Sequence, residues 1–321
     1  MPLELGKVRE FAKAVSITGS DSAPSATGTP VPATFLQTAL LWDEPGTNPF
    51  YDSGLNFEKL LHGEQRFDFT AGPPLTGETL EVTRRIDSVR NKQGRRGGTM
   101  TFVVETTEFR RENGELAATS TNTRVVTGQA ASGEKTGPAT GQSAPQNESA
   151  RSDSKSDTEI TAGATAARTS TTAPAEQKNV RDLGPTRLVM APLTIHDSVV
   201  YQGASGDLNP IHHDPDFAAK AGFPTPFAVG MRQMGMLAEQ VTSWSGAESL
   251  RSIAVRFHNL AWPGEALTYT CEINEVSQDG GTLNVRLGLN CHKPDSSLHL
   301  SGTACCTIPI DTPTARNLLG A

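Results

Sequence analysis

Two stretches of the chain alternate between apolar and polar positions, and each predicts a set of antiparallel strands. The first contains GETLEVTRRIDSV (Gly77–Val89) and the second contains GEALTYTCEINEV (Gly264–Val276), both rich in Val, Thr and Ile. A period of two places the apolar side chains on one face of a sheet. The segments ENGE around Gly114 and QDGG before Gly281 have the composition of hairpin turns. The pattern therefore predicts two strand meanders, each with one buried face.

Each meander follows a mostly apolar segment that begins with prolines. Thr29–Leu41 and Thr225–Leu237 match in register. A helix that is apolar on all sides belongs inside a fold. We therefore expect each half to place a central buried helix against its own antiparallel sheet, which is an α+β arrangement.

The two halves are a repeat of one another. Arg66-Phe67 precedes the first strand pattern as Arg256-Phe257 precedes the second, and GGTMTFVV (Gly97–Val104) corresponds to GGTLNVRL (Gly280–Leu287). Both halves end in a loop and a further strand. Four landmarks in the same order indicate an internal duplication.

The region between the halves has a different composition. Residues 129–182 are dominated by Ser, Thr, Ala, Gly and Pro and contain no aromatic residue. Such a sequence cannot bury enough apolar surface to offset its ordering entropy. We expect a flexible linker at 129–182 between domains at 1–128 and 183–311, followed by a C-terminal tail at 312–321.

Composition narrows the class of function. The 321 residues carry a formal net charge of −7, which argues against nucleic acid as the main partner. No apolar run is long enough to span a bilayer, and the N-terminus lacks the apolar core of a signal peptide. A cytoplasmic location is therefore expected. The four cysteines form no CxxC pair and are predicted to be reduced strand residues.

The halves differ most before the apolar segment. The second half contains YQGASGDLNPIHHDPDFAAKAGFPTP, whereas the corresponding part of the first half is shorter and has no histidine. Asp214 and Pro215 have the residue types of a helix N-cap and first helical position, and Gly222 suits the position after the helix. Asp214 is therefore predicted to be a structural cap.

The remaining polar residues of this loop are candidates for chemistry. Gly206 and Pro210 turn the chain, so Asp207 and His212 can converge on one water and move its protons. Asn209 is expected to hold the loop by hydrogen bonds and to belong, with Gly230, to the substrate-binding and oxyanion residues, and His213 is expected to face away. Two alternatives remain open: a polar loop without chemistry, and a metal site, which lacks a third spaced cluster.

A second candidate lies at the start of the apolar segment. The N–H of Gly230 at a helix N-terminus is a suitable oxyanion donor, although Gly230 equally suits close packing. The nearby residues Met231, Met234 and Met236 are predicted to fill the core.

These residues together resemble the MaoC-like (R)-specific enoyl-thioester hydratases and 3-hydroxyacyl-thioester dehydratases of the hot-dog fold. The resemblance covers about residues 183–310, and residues 1–128 look like the non-catalytic hot dog of two-domain members. The matching positions are Tyr201, Ser205, Gly206, Asp207, Asn209, Pro210, Ile211, His212, Asp214, Ala218, Gly222, Phe223, Gly230 and Met231.

The resemblance implies a double hot dog with one active site per chain. Asp207 and His212 would activate water for syn addition to a trans-2-enoyl thioester of CoA or acyl carrier protein, and Gly230 would polarise the thioester carbonyl. No cofactor, metal, nucleic acid or membrane is expected to take part. The protein would be a monomer with two hot-dog halves, or a homo-oligomer. One departure is Val229, where family members commonly carry His.

Two other functions remain open. One is hydration of a short branched or dicarboxylic enoyl-CoA, which polar or basic residues in the acyl channel would favour. The other is a non-catalytic module that binds acyl thioesters. This alternative is considered because Val229 stands where family members commonly carry His. The intact Asp207, Asn209 and His212 pattern argues against a hot-dog thioesterase.

Overall fold

The structure is a computed structural model that describes residues 1–17, 24–43, 46, 48–49, 60–93, 99–127 and 183–320. The predicted linker, residues 129–182, lies outside the described residues, and the predicted domain boundaries stay predictions. The helices are α1 (Leu5–Val15), α2 (Ile195–Ser205), α3 (Pro215–Lys220), α4 (Gly230–Ser245) and α5 (Pro313–Leu319), with 3₁₀ turns at Phe35–Trp42, Pro210–His212 and Ala247–Ser249. The strands are β1 (Leu60–Phe69), β2 (Leu80–Gln93), β3 (Thr99–Arg111), β4 (Leu116–Thr127), β5 (Leu188–Val189), β6 (Leu250–Phe257), β7 (Thr268–Asp279), β8 (Thr282–His292) and β9 (Leu298–Pro309).

The strands form a single antiparallel sheet in the described part of the chain. Their order is β2-β3-β4-β1-β6-β9-β8-β7-β5. Within each half the first long strand lies beside the last, and the two middle strands lie outside them. The turns at Gly114 and Gly280 have positive φ, as the two predicted hairpins require. The two predicted sheets are thus present and continuous with each other.

The halves join through β1 and β6, and the register of this seam follows the sequence repeat. Arg66 pairs with Ala254, and Glu64 pairs with Arg256. Arg66 and Arg256 are equivalent positions of the repeat. Ala254, the partner of Arg66, lies two residues before Arg256, and Glu64, the partner of Arg256, lies two residues before Arg66. The seam is therefore self-complementary, as a two-fold contact between identical subunits would be. The duplication supplies within one chain the pairing that a dimer would otherwise provide.

Helix α4 is the central helix of the second half. Met231, Met234 and Met236 are at most 2% exposed, which confirms their predicted place in the core. A Cβ on Gly235 would lie 2.6 Å from Val15 Cγ1, so α4 passes very close to the end of α1. One continuous core, with buried residues from both halves, surrounds the helix.

The expected central helix of the first half is not a second α4. The matching segment forms only the eight-residue 3₁₀ helix Phe35–Trp42, although Phe35 and Leu36 are buried as predicted. The sequence after Trp42 contains Pro45 and Pro49, which cannot continue a helix, whereas α4 runs for 16 residues without proline. Among its described residues, the first half therefore has no long helix over its sheet.

Among the described residues, no helix has the length and apolarity needed to cross a bilayer. The four cysteines are free, which confirms that they are reduced; Cys306 is buried and its neighbour Cys305 is partly exposed, because adjacent residues of a strand face opposite sides of the sheet.

Candidate active site

The loop with the candidate acid and histidine begins where α2 ends. Gly206 terminates the helix with φ 81°, a conformation that favours glycine. A Cβ at this position would also lie 2.7 Å from Leu41 of the first half. The absence of a side chain at Gly206 thus allows the loop to turn and the other half to approach.

A buried glutamine holds the loop from behind. Gln202 Nε2 donates to the carbonyl oxygen of Asn209 at 2.8 Å, and Gln202 Oε1 accepts from His213 Nδ1 at 2.8 Å. Asn209 Oδ1 in turn accepts from the N–H of Ile211 at 3.2 Å, which confirms its expected bond to the loop. His213 is exposed, and its ring is tied to Gln202 rather than simply solvated. The role of Gln202 is not evident from the sequence, where it is one polar residue on a short helix.

His212 is placed and oriented as a base would be. It is 9% exposed, and its Nδ1 lies 2.8 Å from the carbonyl oxygen of Phe227. A carbonyl only accepts, so Nδ1 donates and Nε2 keeps its lone pair. Burial lowers the pKa of His212 below the ordinary 6.5, and this outweighs the raising effects of the Asp207 charge and the Phe227 hydrogen bond. The imidazole is therefore neutral at neutral pH.

Asp207 and His212 lie together on the wall of a cleft with two arms. The N-half arm, about 620 Å³, extends to first-half residues, and the C-half arm, about 200 Å³, extends to the start of α4. The arms share six lining residues, which are Leu60, Leu61, His62, Asp207, His212 and Met231. The predicted convergence of Asp207 and His212 is thus supported by their shared position and by the effect of the carboxylate on the imidazole.

Gly230 lines the C-half arm as the first residue of α4. Its N–H has no place in the internal hydrogen bonding of the helix and lies at the positive end of the helix dipole. A Cβ at Gly230 would lie 2.7 Å from the ring of Phe257. Gly230 is closely packed and its N–H lies outside the helix's own hydrogen bonding, so the two alternatives for Gly230 are compatible. Val229 is buried, 2% exposed, and also lines this arm.

The first half contributes a polar wall to the same cleft, which the sequence did not reveal. His62 lines both arms, and Asn122 and Arg124 line the N-half arm. Burial, together with the positive charge of Arg124, lowers the pKa of His62 to about 3. The available signal was one polar residue in Leu60-Leu61-His62, but only the fold brings β1 next to the loop of the other half.

Asp214 has the structural role predicted for it. Its Oδ1 accepts the N–H groups of Asp216 at 2.8 Å and Phe217 at 3.1 Å, which caps α3. Gly222 follows the helix with φ 91°, as expected. Among the described residues, no group of three or more His, Cys, Asp or Glu side chains is placed to hold a metal ion.

The chain is similar in sequence to two described families. Residues 179–290 match the MaoC like domain, and residues 1–120 match the FAS1-like dehydratase domain region. The chain is 27% identical over 241 residues to the enoyl-CoA hydratase ChsH3 of Mycobacterium tuberculosis, an alignment covering 74% of this chain and 68% of the relative. It is 25% identical over 219 residues to the peroxisomal multifunctional enzyme type 2 of Drosophila melanogaster, covering 67% of this chain and 30% of that protein. The chain thus spans less than a third of the second relative.

Solved structures share the fold over nearly the whole chain. A structure described as a MaoC-like dehydratase covers 96% of this chain and 95% of its own, with 22% identity and a TM-score of 0.66. The same pairing of two hot dogs is described among the structures of this fold. The predicted double hot-dog fold is therefore confirmed.

Proposed function

The chain belongs to the MaoC-like hydratases and dehydratases, and on that premise we propose that it interconverts trans-2-enoyl and (R)-3-hydroxyacyl thioesters in fatty-acid metabolism. One observation supports this most directly. Asp207 and His212 lie on the wall shared by both arms of a cleft whose C-half arm is lined by the N-terminus of α4. A carboxylate, a neutral imidazole and a backbone N–H are the groups that adding water to an enoyl thioester requires.

The two arms give the substrate a direction. Gly230 lines only the C-half arm, so the thioester carbonyl is placed there, next to its N–H. Asp207 and His212 are common to both arms, so C3 is placed between them. The chain from C1 to C3 then points away from α4, and the rest of the acyl group enters the N-half arm. The CoA or carrier-protein moiety leaves by the C-half arm.

The proposed proton movements follow from the orientation of His212. In hydration, Asp207 holds the water by accepting one hydrogen bond, and His212 Nε2 takes a proton as the oxygen bonds to C3. The electron pair of the double bond moves toward the thioester oxygen, where the N–H of Gly230 stabilises the negative charge. Return of the proton to C2 on the same face completes a syn addition. Dehydration is the reverse, and the sum consumes or releases one water.

The test is hydration of crotonyl-CoA and of a longer trans-2-enoyl-CoA by the full chain. We expect activity, and we expect Asp207→Asn and His212→Gln each to lower kcat/KM by about 10² or more, as for loss of an acid or base. His213→Gln is the matched control, because His213 is adjacent but exposed, and it should retain most activity. No activity on any chain length would favour a non-catalytic thioester-binding module. Fully active Asp207 and His212 variants would show that the site is wrong.

The second candidate, a dicarboxylic enoyl-CoA, depends on the charge of the N-half arm. Arg124 lines this arm but lies 3.3 Å from Glu105, which also lies 3.7 Å from Arg84. Arg84 is itself paired with Asp43. Among the described residues, this largely buried network contains two acids and two bases, so the carboxylate of a dicarboxylic substrate would add a negative charge that these residues do not offset. The arm thus favours an uncharged acyl group, which a comparison of crotonyl-CoA with an enoyl-CoA bearing a terminal carboxylate tests.

The remaining expectations are part of the proposal. The acyl carrier is CoA or acyl carrier protein, and the pairing of the two halves through β1 and β6 is consistent with a monomer or a homo-oligomer. The cytoplasmic location stays a prediction.

A further inference from the structure

His62 is a histidine of the non-catalytic half that lies in the active-site cleft of the other half. It belongs to β1 just before the seam, whose last pair is Glu64 with Arg256. The pairing of β1 with β4 shifts register between His62 and Glu64, which leaves Gly63 as an extra residue. A Cβ on Gly63 would lie 3.1 Å from Thr123 O, so the bulge is tightly packed. Bulges of this kind change the direction of a neighbouring side chain and occur next to active sites.

The ring of His62 lies against the residue that also contacts the start of α4. Its centroid is 4.8 Å from that of Phe257, and the Phe257 ring occupies the space beside Gly230. His62 lines both arms together with Asp207 and His212, whereas Gly230 lines only one. His62 is therefore on the C3 side of the reacting atoms rather than beyond the carbonyl.

The His62 side chain is partly exposed and borders both arms of the cleft. Its Nε2 is shielded and makes no hydrogen bond of normal geometry with the described residues, while the Gln65 side chain and the Glu64 backbone lie close enough to raise the pKa of the ring. The positive charge of His212 would oppose protonation of His62, so the two rings are close enough to interact. Burial and the charge of Arg124 keep the ring neutral, with a pKa of about 3. A neutral imidazole on the wall of a polar cleft can exchange a hydrogen bond with a ligand bound there.

We propose that His62 is a substrate-binding residue whose imidazole hydrogen-bonds the oxygen that is added to, or lost from, C3 of the acyl thioester. This inference rests on the proposed function, since it takes the position of C3 from Asp207 and His212. It gives the degenerate half a direct part in the reaction: one half supplies the acid and base, and the other holds the reacting oxygen. An acyl thioester without oxygen on C3 would not make this bond.

The test compares two ligands that differ only in that oxygen. Dissociation constants of (R)-3-hydroxybutyryl-CoA and butyryl-CoA are measured by calorimetry on the full chain with Asp207→Asn, which slows turnover by about 10² or more, with and without His62→Leu. We expect His62→Leu to weaken binding of the hydroxylated ligand by about 5-fold, the usual effect of one hydrogen bond, and to leave butyryl-CoA binding within about 2-fold. His62→Asn, which keeps a polar group, should retain part of the preference.

His299→Leu is the matched control. The ring centroid of His299 lies 6.5 Å from that of Phe257, and His299 is buried, with an Nε2 that has no hydrogen-bond partner among the described residues. It lines the C-half arm but not the N-half arm. It should not change the ratio of the two dissociation constants. Thermal melting shows whether each variant is folded. An equal effect of His62→Leu on both ligands, or no effect, would overturn the inference.

Crotonyl-CoA hydration by the unmodified chain separates the two failures. If the chain hydrates crotonyl-CoA and His62→Leu does not change the ligand preference, the role of His62 is wrong and the proposed function stands. If the unmodified chain has no hydratase activity, the proposed function fails and the assignment of C3 fails with it.

Discussion

His212 Nδ1 donates to the carbonyl oxygen of Phe227 at 2.8 Å, deep in the cleft. This bond fixes the ring and leaves the lone pair on Nε2. The geometry has a consequence for pH, because burial lowers the pKa of His212 below 6.5 and the base must be unprotonated to act.

We therefore expect kcat/KM for crotonyl-CoA to stay constant as the pH falls from 8 through 6.5, and to decline only at more acidic values. A lowered pKa extends the range of the neutral form downward, so the acidic limb lies below that of an ordinary histidine. The measurement is a pH–rate profile between pH 4.5 and 8.5. A decline centred at or above pH 6.5 would contradict the assignment of His212 as the base.

The free energy of unfolding should also decrease as the pH is lowered. His62 is neutral in the fold, with a pKa of about 3, but would titrate near 6.5 when unfolded. Between these values the unfolded chain binds more protons, so stability is full above pH 6.5 and is lost as the pH falls. The slope from His62 is at most about 1.4 kcal/mol per pH unit. His212 and His299, whose pKa values are also lowered, add in the same direction.

Urea denaturation at pH 7.5 and 5.5 measures this effect. The loss of unfolding free energy between the two pH values should be smaller in His62→Leu than in the unmodified chain. An equal loss in both proteins would show that His62 is not held neutral by the fold.

The two roles of Gly230 can be separated in a Phe257→Ala background, which removes the ring that excludes a side chain. Gly230→Ala then keeps the N–H and Gly230→Pro removes it. Proline is tolerated at the first position of a helix, and Val229 has the extended ψ of 108° that a following proline requires. The proline variant should be about 10²-fold less active than the alanine variant, as for loss of an oxyanion donor. Equal kcat values for the alanine and proline variants would show that Gly230 contributes close packing and not an oxyanion donor.

Asp214 should affect stability and not chemistry. Asp214→Ala removes two accepted hydrogen bonds at the start of α3 and should cost about 1 kcal/mol in unfolding free energy. Asp214→Ser, which keeps a capping oxygen, should recover most of it. Both variants should hydrate crotonyl-CoA within about 3-fold of the unmodified chain at a temperature where they are folded. A 10²-fold loss in both would place Asp214 in the reaction.

Local patterns predicted the parts of the structure that depend on nearby residues. Asp214, Pro215 and Gly222 have the residue types that begin and end a short helix, and they do so here. Asn209 holds its own loop, as residues of this type do in turns. The first-half helix was the exception. The match between Thr29–Leu41 and Thr225–Leu237 did not extend to the prolines after Trp42. The segment Phe35–Trp42 forms a 3₁₀ helix and not a long α-helix.

The sequence by itself determined the duplication, the strand patterns and the loop with Asp207 and His212, because each is written in adjacent residues and their spacing. Only the tertiary structure decided what surrounds that loop. The seam of β1 with β6 brings His62 to His212, 150 positions further along the chain, and places the balanced charges around Arg124 in the N-half arm. Pairing across such a distance depends on how two whole sheets meet, and no local pattern around Leu60-Leu61-His62 records it.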